Sequence, residues 1–135
     1  NSYIDRKIDK INNKNKKLQK KSIYFTLLLS GEREIKNLNQ KFRKKNKSTD
    51  VLSFPFYTKK ELHKKLISEK EIYLGDIIIN LNEIKDKKKL KNFKIEFNDL
   101  WIHGLVHLFG YDHKKEKDFL AMKKIEKKYS SFIND

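Results

Sequence analysis

Three of the chain's four histidines fall in the run Trp101-Ile102-His103-Gly104-Leu105-Val106-His107-Leu108-Phe109-Gly110-Tyr111-Asp112-His113, and no other feature constrains the fold as tightly. His103 and His107 are four apart, so on a helix they project from one face, one turn apart. Gly110 can end that helix in the left-handed conformation, and the following turn can return His113 toward the same point. Three imidazoles hold a metal and leave a fourth position open for water, which is the pattern of a catalytic zinc and not of a structural one. The expectation is one zinc ion per chain on His103, His107 and His113.

The offsets match the metzincin motif H-E-x-x-H-x-x-G-x-x-H, except that Gly104 stands where the catalytic Glu would be. The cradle is kept and the protease base is missing. The run therefore argues for metal-assisted hydrolysis and against peptide hydrolysis by that route. One histidine on an apolar helix is more often a core residue than a ligand; three at these offsets are much harder to reach by chance. His63, in Lys59-Lys60-Glu61-Leu62-His63-Lys64-Lys65, reads as a solvated surface residue.

The 135 residues suit one domain, 1–135, with one modest core. There is no Cys, which excludes disulfides and thiolate metal sites. No apolar run approaches the ~20 residues that cross a bilayer, and the N-terminus lacks a signal-peptide core, so the expected location is the cytoplasm. The net charge of +15 suits a polyanion partner. However, almost all the basic residues are Lys, and Asn and Ile are abundant too, a pattern that AT-rich codon usage would produce whatever the function. The three Arg residues (Arg6, Arg33, Arg43) therefore say more than any one Lys. Arg43, inside Lys41-Phe42-Arg43-Lys44-Lys45, offers a fork for phosphate that Lys lacks.

Apolar spacing predicts a helix over 3–18, a strand from Ser22 to Leu29, a helix from Glu32 to Lys45 and a strand from Asp50 to Tyr57. Pro55 demotes that second strand to a sheet edge or ends it. Residues 58–70 read equally as a loop or a short exposed helix. Glu71 to Asn80 reads as a buried strand interrupted at Gly75-Asp76, where Asp76 is either buried near the cleft or part of a bulge. A helix over Phe93–Phe109, apolar nearly all round, is expected at the centre, and a last helix over 115–129 turns Phe119, Met122 and Ile125 inward. The order defines an α+β fold: a small mixed β-sheet packed with helices, its central helix carrying the metal ligands.

Three blocks carry a resemblance to a known family. Leu38-Asn39-Gln40-Lys41-Phe42-Arg43, running on to Ser48-Thr49-Asp50-Val51-Leu52-Ser53-Phe54-Pro55-Phe56, is similar to L-N-x-x-Y-R followed by T-D-V-L-S-F-P. Leu74-Gly75-Asp76-Ile77 matches L-G-D-I, and the histidine run matches H-G-x-L-H-L-x-G-Y-D-H. In this order the blocks resemble the YbeY family of endoribonucleases, the ribosomal RNA maturation factors, over about residues 38–125. Departures are few: Val106 stands where Leu is common, Phe42 replaces Tyr, and Ser48 replaces a frequent Pro.

The resemblance implies a zincin-like metallohydrolase fold with zinc on the three histidines, and Arg43 as a catalytic residue beside the cleft. It implies hydrolysis of single-stranded RNA in trimming ribosomal RNA, including the small-subunit 3′ end, and in ribosome quality control. The partners would be ribosomal RNA and the ribosome, with room for a ribosomal protein or partner ribonuclease, and neither membrane nor DNA. Attack on phosphorus by water and attack by the ribose 2′-OH both remain open. Asp112 reads equally as an orienter of an imidazole and as a turn cap, and Tyr111 is the better base-stacking residue than Trp101, which reads as core. The rival readings are a non-catalytic ribosome-assembly factor and, behind it, a metalloprotease.

Overall fold

The computed structural model describes residues 2–15, 18, 20–112 and 116–133. Three strands, β1 (Ser22–Ser30), β2 (Val51–Pro55) and β3 (Glu71–Asn80), form one sheet in the order β1-β3-β2. β1 runs parallel to β3 and β2 antiparallel to it, so the sheet is mixed and the fold is α+β, as expected. Pro55, at the end of β2, lies on an edge strand, where its missing N–H costs no ladder bond.

β3 is central and nearly continuous in apolar residues because both of its faces are covered. Ile72, Leu74, Ile77 and Ile79 join the main core, while Ile78 turns the other way to meet Ile35 and Leu52. Of the two readings of Gly75-Asp76, the structure has the bulge. Tyr24 pairs with Tyr73 and Thr26 with Asp76, so β3 carries one extra residue there. Gly75 takes φ +136°, and a Cβ on it would lie 2.2 Å from the Phe54 carbonyl oxygen. The bulge keeps Leu74 and Ile77, three residues apart, on one face.

The helices are α1 (Ser2–Lys14), α2 (Glu32–Arg43), α3 (Lys59–Ser68), α4 (Leu90–Leu108) and α5 (Glu116–Ile133), with a 3₁₀ turn at Leu81–Glu83. α4 packs on β2 and β3, α5 on α4, and α1 on α5. Asn98 joins α1 to α4: its Oδ1 accepts the Trp101 indole N–H at 2.9 Å and the Tyr3 hydroxyl at 3.0 Å. Trp101 is fully buried core, as read from the sequence.

Several boundaries differ from expectation. α1 stops at Lys14, not residue 18. Leu18 is buried, but it lies in a turn where its N–H reaches the Asn15 carbonyl; its apolar spacing reported burial and not helix. α2 stops at Arg43, because Lys44 adopts φ +59° and the N–H groups of Lys44 and Lys45 close on the carbonyls of Gln40 and Asn39. Residues 59–68 form a helix because Thr58 and Glu61 make a reciprocal capping box, and Leu62 anchors it in the core.

α4 is buried over its C-terminal half only, Leu90 and Ile95 being exposed. In α5 Met122 is buried and Ile125 packs half-buried against the core, as expected, joined by Tyr129 and Ile133 in the inward stripe; Phe119 is 46% exposed, against expectation. The stripe follows the face that meets α4 and α1; Phe119 shares its spacing but sits in the first turn of α5, where it stays exposed. Lys115, where this helix was expected to begin, lies outside the described residues. No helix among the described residues is long and apolar enough to cross a membrane.

Candidate active site

A cleft of about 700 Å³ opens between the free edge of β2, the segment joining α2 to β2, and the C-terminal half of α4. Three of the four residues singled out as site residues line it: Arg43, His103 and His107. The fourth, His113, lies outside the described residues. Lys45 and Lys47 line the cleft too, as do Tyr57 and Tyr111, while His63 is exposed on α3 away from it.

α4 presents His103 and His107 one turn apart, with ring centroids 4.7 Å apart and planes at 87°. Each ring is held at Nδ1. The His103 Nδ1 meets Glu126 Oε1 at 2.5 Å, and the His107 Nδ1 lies 2.9 Å from the Tyr111 carbonyl oxygen. Both partners are acceptors, so each neutral imidazole carries its proton on Nδ1 and offers a lone pair at Nε2. This donor chemistry fits a metal. Among the described residues no group of three His, Cys, Asp or Glu gathers.

Burial raises the Glu126 carboxyl, but the hydrogen bond from His103, with the charge of Lys123 and of the two imidazoles in their protonated form, outweighs it and holds the group below the usual range. Asp99 goes the other way. Partial burial and the neighbouring Glu126 charge raise it, against the pull of Lys123. These residues line a second cavity of about 790 Å³ that also reaches His103.

Gly104 explains its own identity. A Cβ there would lie 2.7 Å from Ile77 Cγ2 and 3.1 Å from Ser53 Oγ, so α4 lies directly on the sheet between the two histidines. A Glu base has no room at this position. Ser53 Oγ donates to the Gly104 carbonyl at 3.2 Å, and the Ser53 carbonyl accepts from the Arg43 guanidinium at 2.5 Å. Arg43 also lies over the Phe54 ring, 5.8 Å from its centroid. The last turn of α2 thus delivers Arg43 to the β2 edge.

Thr49, Asp50 and Ser53 also line the cleft, and Asp76 does not. The Asp76 carboxylate accepts the Tyr73 hydroxyl beside the bulge. Asp112 is exposed on the cleft wall. Tyr111 is half-buried with the Lys59 ammonium 4.9 Å from its ring centroid. The sequence reading missed Glu126. The available signal was a carboxylate four residues after Met122 and three before Tyr129, on the apolar stripe of α5.

Together these features define an α+β protein with a histidine-and-arginine cleft beneath an edge strand. The chain belongs to the endoribonuclease YbeY family, whose sequence model matches residues 2–134. It is 45% identical over 115 residues to the endoribonuclease YbeY of Pelagibacter ubique, covering 84% of this chain and 71% of that protein. It is 40% identical over 105 residues to the protein of the same name from Buchnera aphidicola of Schizaphis graminum, covering 76% of this chain and 62% of the relative. Among solved structures it resembles TM1509 from Thermotoga maritima in solution, with a TM-score of 0.60 and 29% identity over 98% of this chain and 79% of that one.

Proposed function

We propose that this protein is a zinc-dependent endoribonuclease that cuts single-stranded RNA. Its place would be the cytoplasm, in ribosomal RNA maturation, including the small-subunit 3′ end, and in ribosome quality control. The observation that carries the reading is one cleft holding two Nε2-presenting imidazoles and Arg43 in a chain of this family.

His103, His107 and His113 would hold the ion, one per chain. When bound, zinc supplies Lewis acidity toward a phosphoryl oxygen and eases deprotonation of a nucleophile. The chain's own residues supply the rest. Arg43, fixed at the β2 edge, presents its guanidinium to the phosphate at which charge builds during displacement, a favourable contact that strengthens as the reaction proceeds. Lys45 and Lys47 take flanking phosphates on the same wall, and Tyr57 and Tyr111 offer ring faces to unpaired bases. With Gly104 in the motif, no carboxylate on α4 sits between the two ligands to serve as base.

The test is cleavage of an end-labelled ribosomal RNA fragment by wild type and by His107→Ala, purified side by side. Cleavage by wild type alone is expected. Equal cleavage by both would overturn the site, and cleavage by neither, with zinc supplied, would favour an RNA-binding assembly factor. Product ends then separate the two chemical routes, since a 2′,3′-cyclic phosphate requires attack by the 2′-OH.

A further inference from the structure

We infer that Glu126 is a positioning residue that holds His103 in its metal-ligating tautomer and orientation; this rests on the metal reading above. The geometry is direct. Glu126 comes from α5, 23 residues beyond His103, and its Oε1 lies 2.5 Å from the His103 Nδ1. Its side chain is 15% exposed, in the seam between α4 and α5.

A carboxylate in that seam is costly unless it is used. The stripe it belongs to is otherwise apolar, Met122, Tyr129 and Ile133, and a Leu at 126 would continue it. Glu126 gains little from elsewhere: its Oε2 is buried, with no hydrogen-bond partner among the described residues, and the Lys123 ammonium stands 3.8 Å away. The hydrogen bond to His103 is therefore the main compensation for placing a charge there.

An imidazole without such a partner exchanges its proton between Nδ1 and Nε2 and turns about its Cβ–Cγ bond. A carboxylate at Nδ1 stops both, leaves Nε2 unprotonated toward the cleft, and raises the basicity of that nitrogen. The two ligand histidines thus differ. His107 is held by a neutral backbone carbonyl, which no side-chain change removes, and His103 by a charged side chain, which one substitution removes.

The test uses the full chain as wild type, Glu126→Gln and Glu126→Leu, with circular dichroism and thermal midpoints recorded for each. Long-range ¹H–¹⁵N spectra of the metal-free protein read the His103 tautomer, and competition with a chromophoric chelator reads zinc affinity. Wild type is expected to show the Nδ1–H form of His103. Glu126→Leu is expected to show a tautomer mixture and about 10- to 100-fold weaker zinc binding. Glu126→Gln, which still accepts but carries no charge, should fall between. A folded Glu126→Leu with an unchanged tautomer and unchanged affinity overturns the inference. If Glu126→Leu does not fold, Glu126→Gln decides: zinc affinity equal to wild type overturns it. A wild type that binds no zinc overturns the metal reading instead, while the tautomer spectra still decide what Glu126 does to His103.

Discussion

The Arg43 guanidinium sits 2.5 Å from the carbonyl oxygen of Ser53, whose hydroxyl in turn donates to the Gly104 carbonyl on α4. One residue of an edge strand thereby sets the cationic group of α2 against the helix that carries His103 and His107. No segment of the chain contains all of these groups; the edge of β2 is where they meet.

Arg43→Ala should therefore lower kcat for RNA cleavage by about 10²–10³ and leave the fold intact, because the side chain is exposed and buries little. Arg43→Lys should lie between wild type and Ala, keeping the charge but losing the fork that can bond Ser53 and a phosphate together. Initial rates on a single-stranded substrate, with thermal midpoints as a fold control, check this.

Gly104→Ala should destabilise the protein although Ala is the better helix former by about 1 kcal/mol. The new Cβ meets Ile77 Cγ2 at 2.7 Å, and overpacking of this kind costs about 1–3 kcal/mol. Urea midpoints measure the difference. Gly104→Glu, which would rebuild the protease motif in sequence, should unfold the protein and yield no peptidase.

Gly75→Ala should cost more, at least about 3 kcal/mol, because it adds an unfavourable positive φ to a clash with backbone. Its Cβ would meet the Phe54 carbonyl oxygen at 2.2 Å, and a backbone atom in a paired strand cannot swing away as a side chain can. The expected result is loss of the β2–β3 pairing, read as lost amide-exchange protection over residues 51–55.

Asp86 should make stability depend on acid. Its carboxylate accepts from the N–H groups of Lys88 and Lys89 and from the Asn92 amide at the start of α4, contacts that hold it below the ordinary value of 3.8. A depressed carboxyl contributes stability that is present above the unfolded value and is lost as the pH falls through the folded one. The thermal midpoint of wild type should therefore exceed that of Asp86→Asn near neutral pH, and the gap should close as the pH drops below 3.8. A gap that stays constant as the pH falls well below that value would remove Asp86 from the account.

By itself the sequence determined whatever depends on spacing along one element. A separation of four places His103 and His107 on one helix face, Pro55 confines β2 to an edge, and Gly75 permits the bulge that keeps Leu74 and Ile77 on the core side. Each follows from local backbone geometry, which neighbouring residues carry with them. Tertiary structure decided where separate elements meet. Leu18 is buried without being helical, Phe119 is exposed although its spacing is apolar, and Glu126 reaches His103 from another helix. None of these is a periodic property, because each depends on how α1, α4 and α5 pack on one another. A buried carboxylate is tolerated only where a partner from a distant segment compensates it, and that partner is supplied by packing and not by spacing.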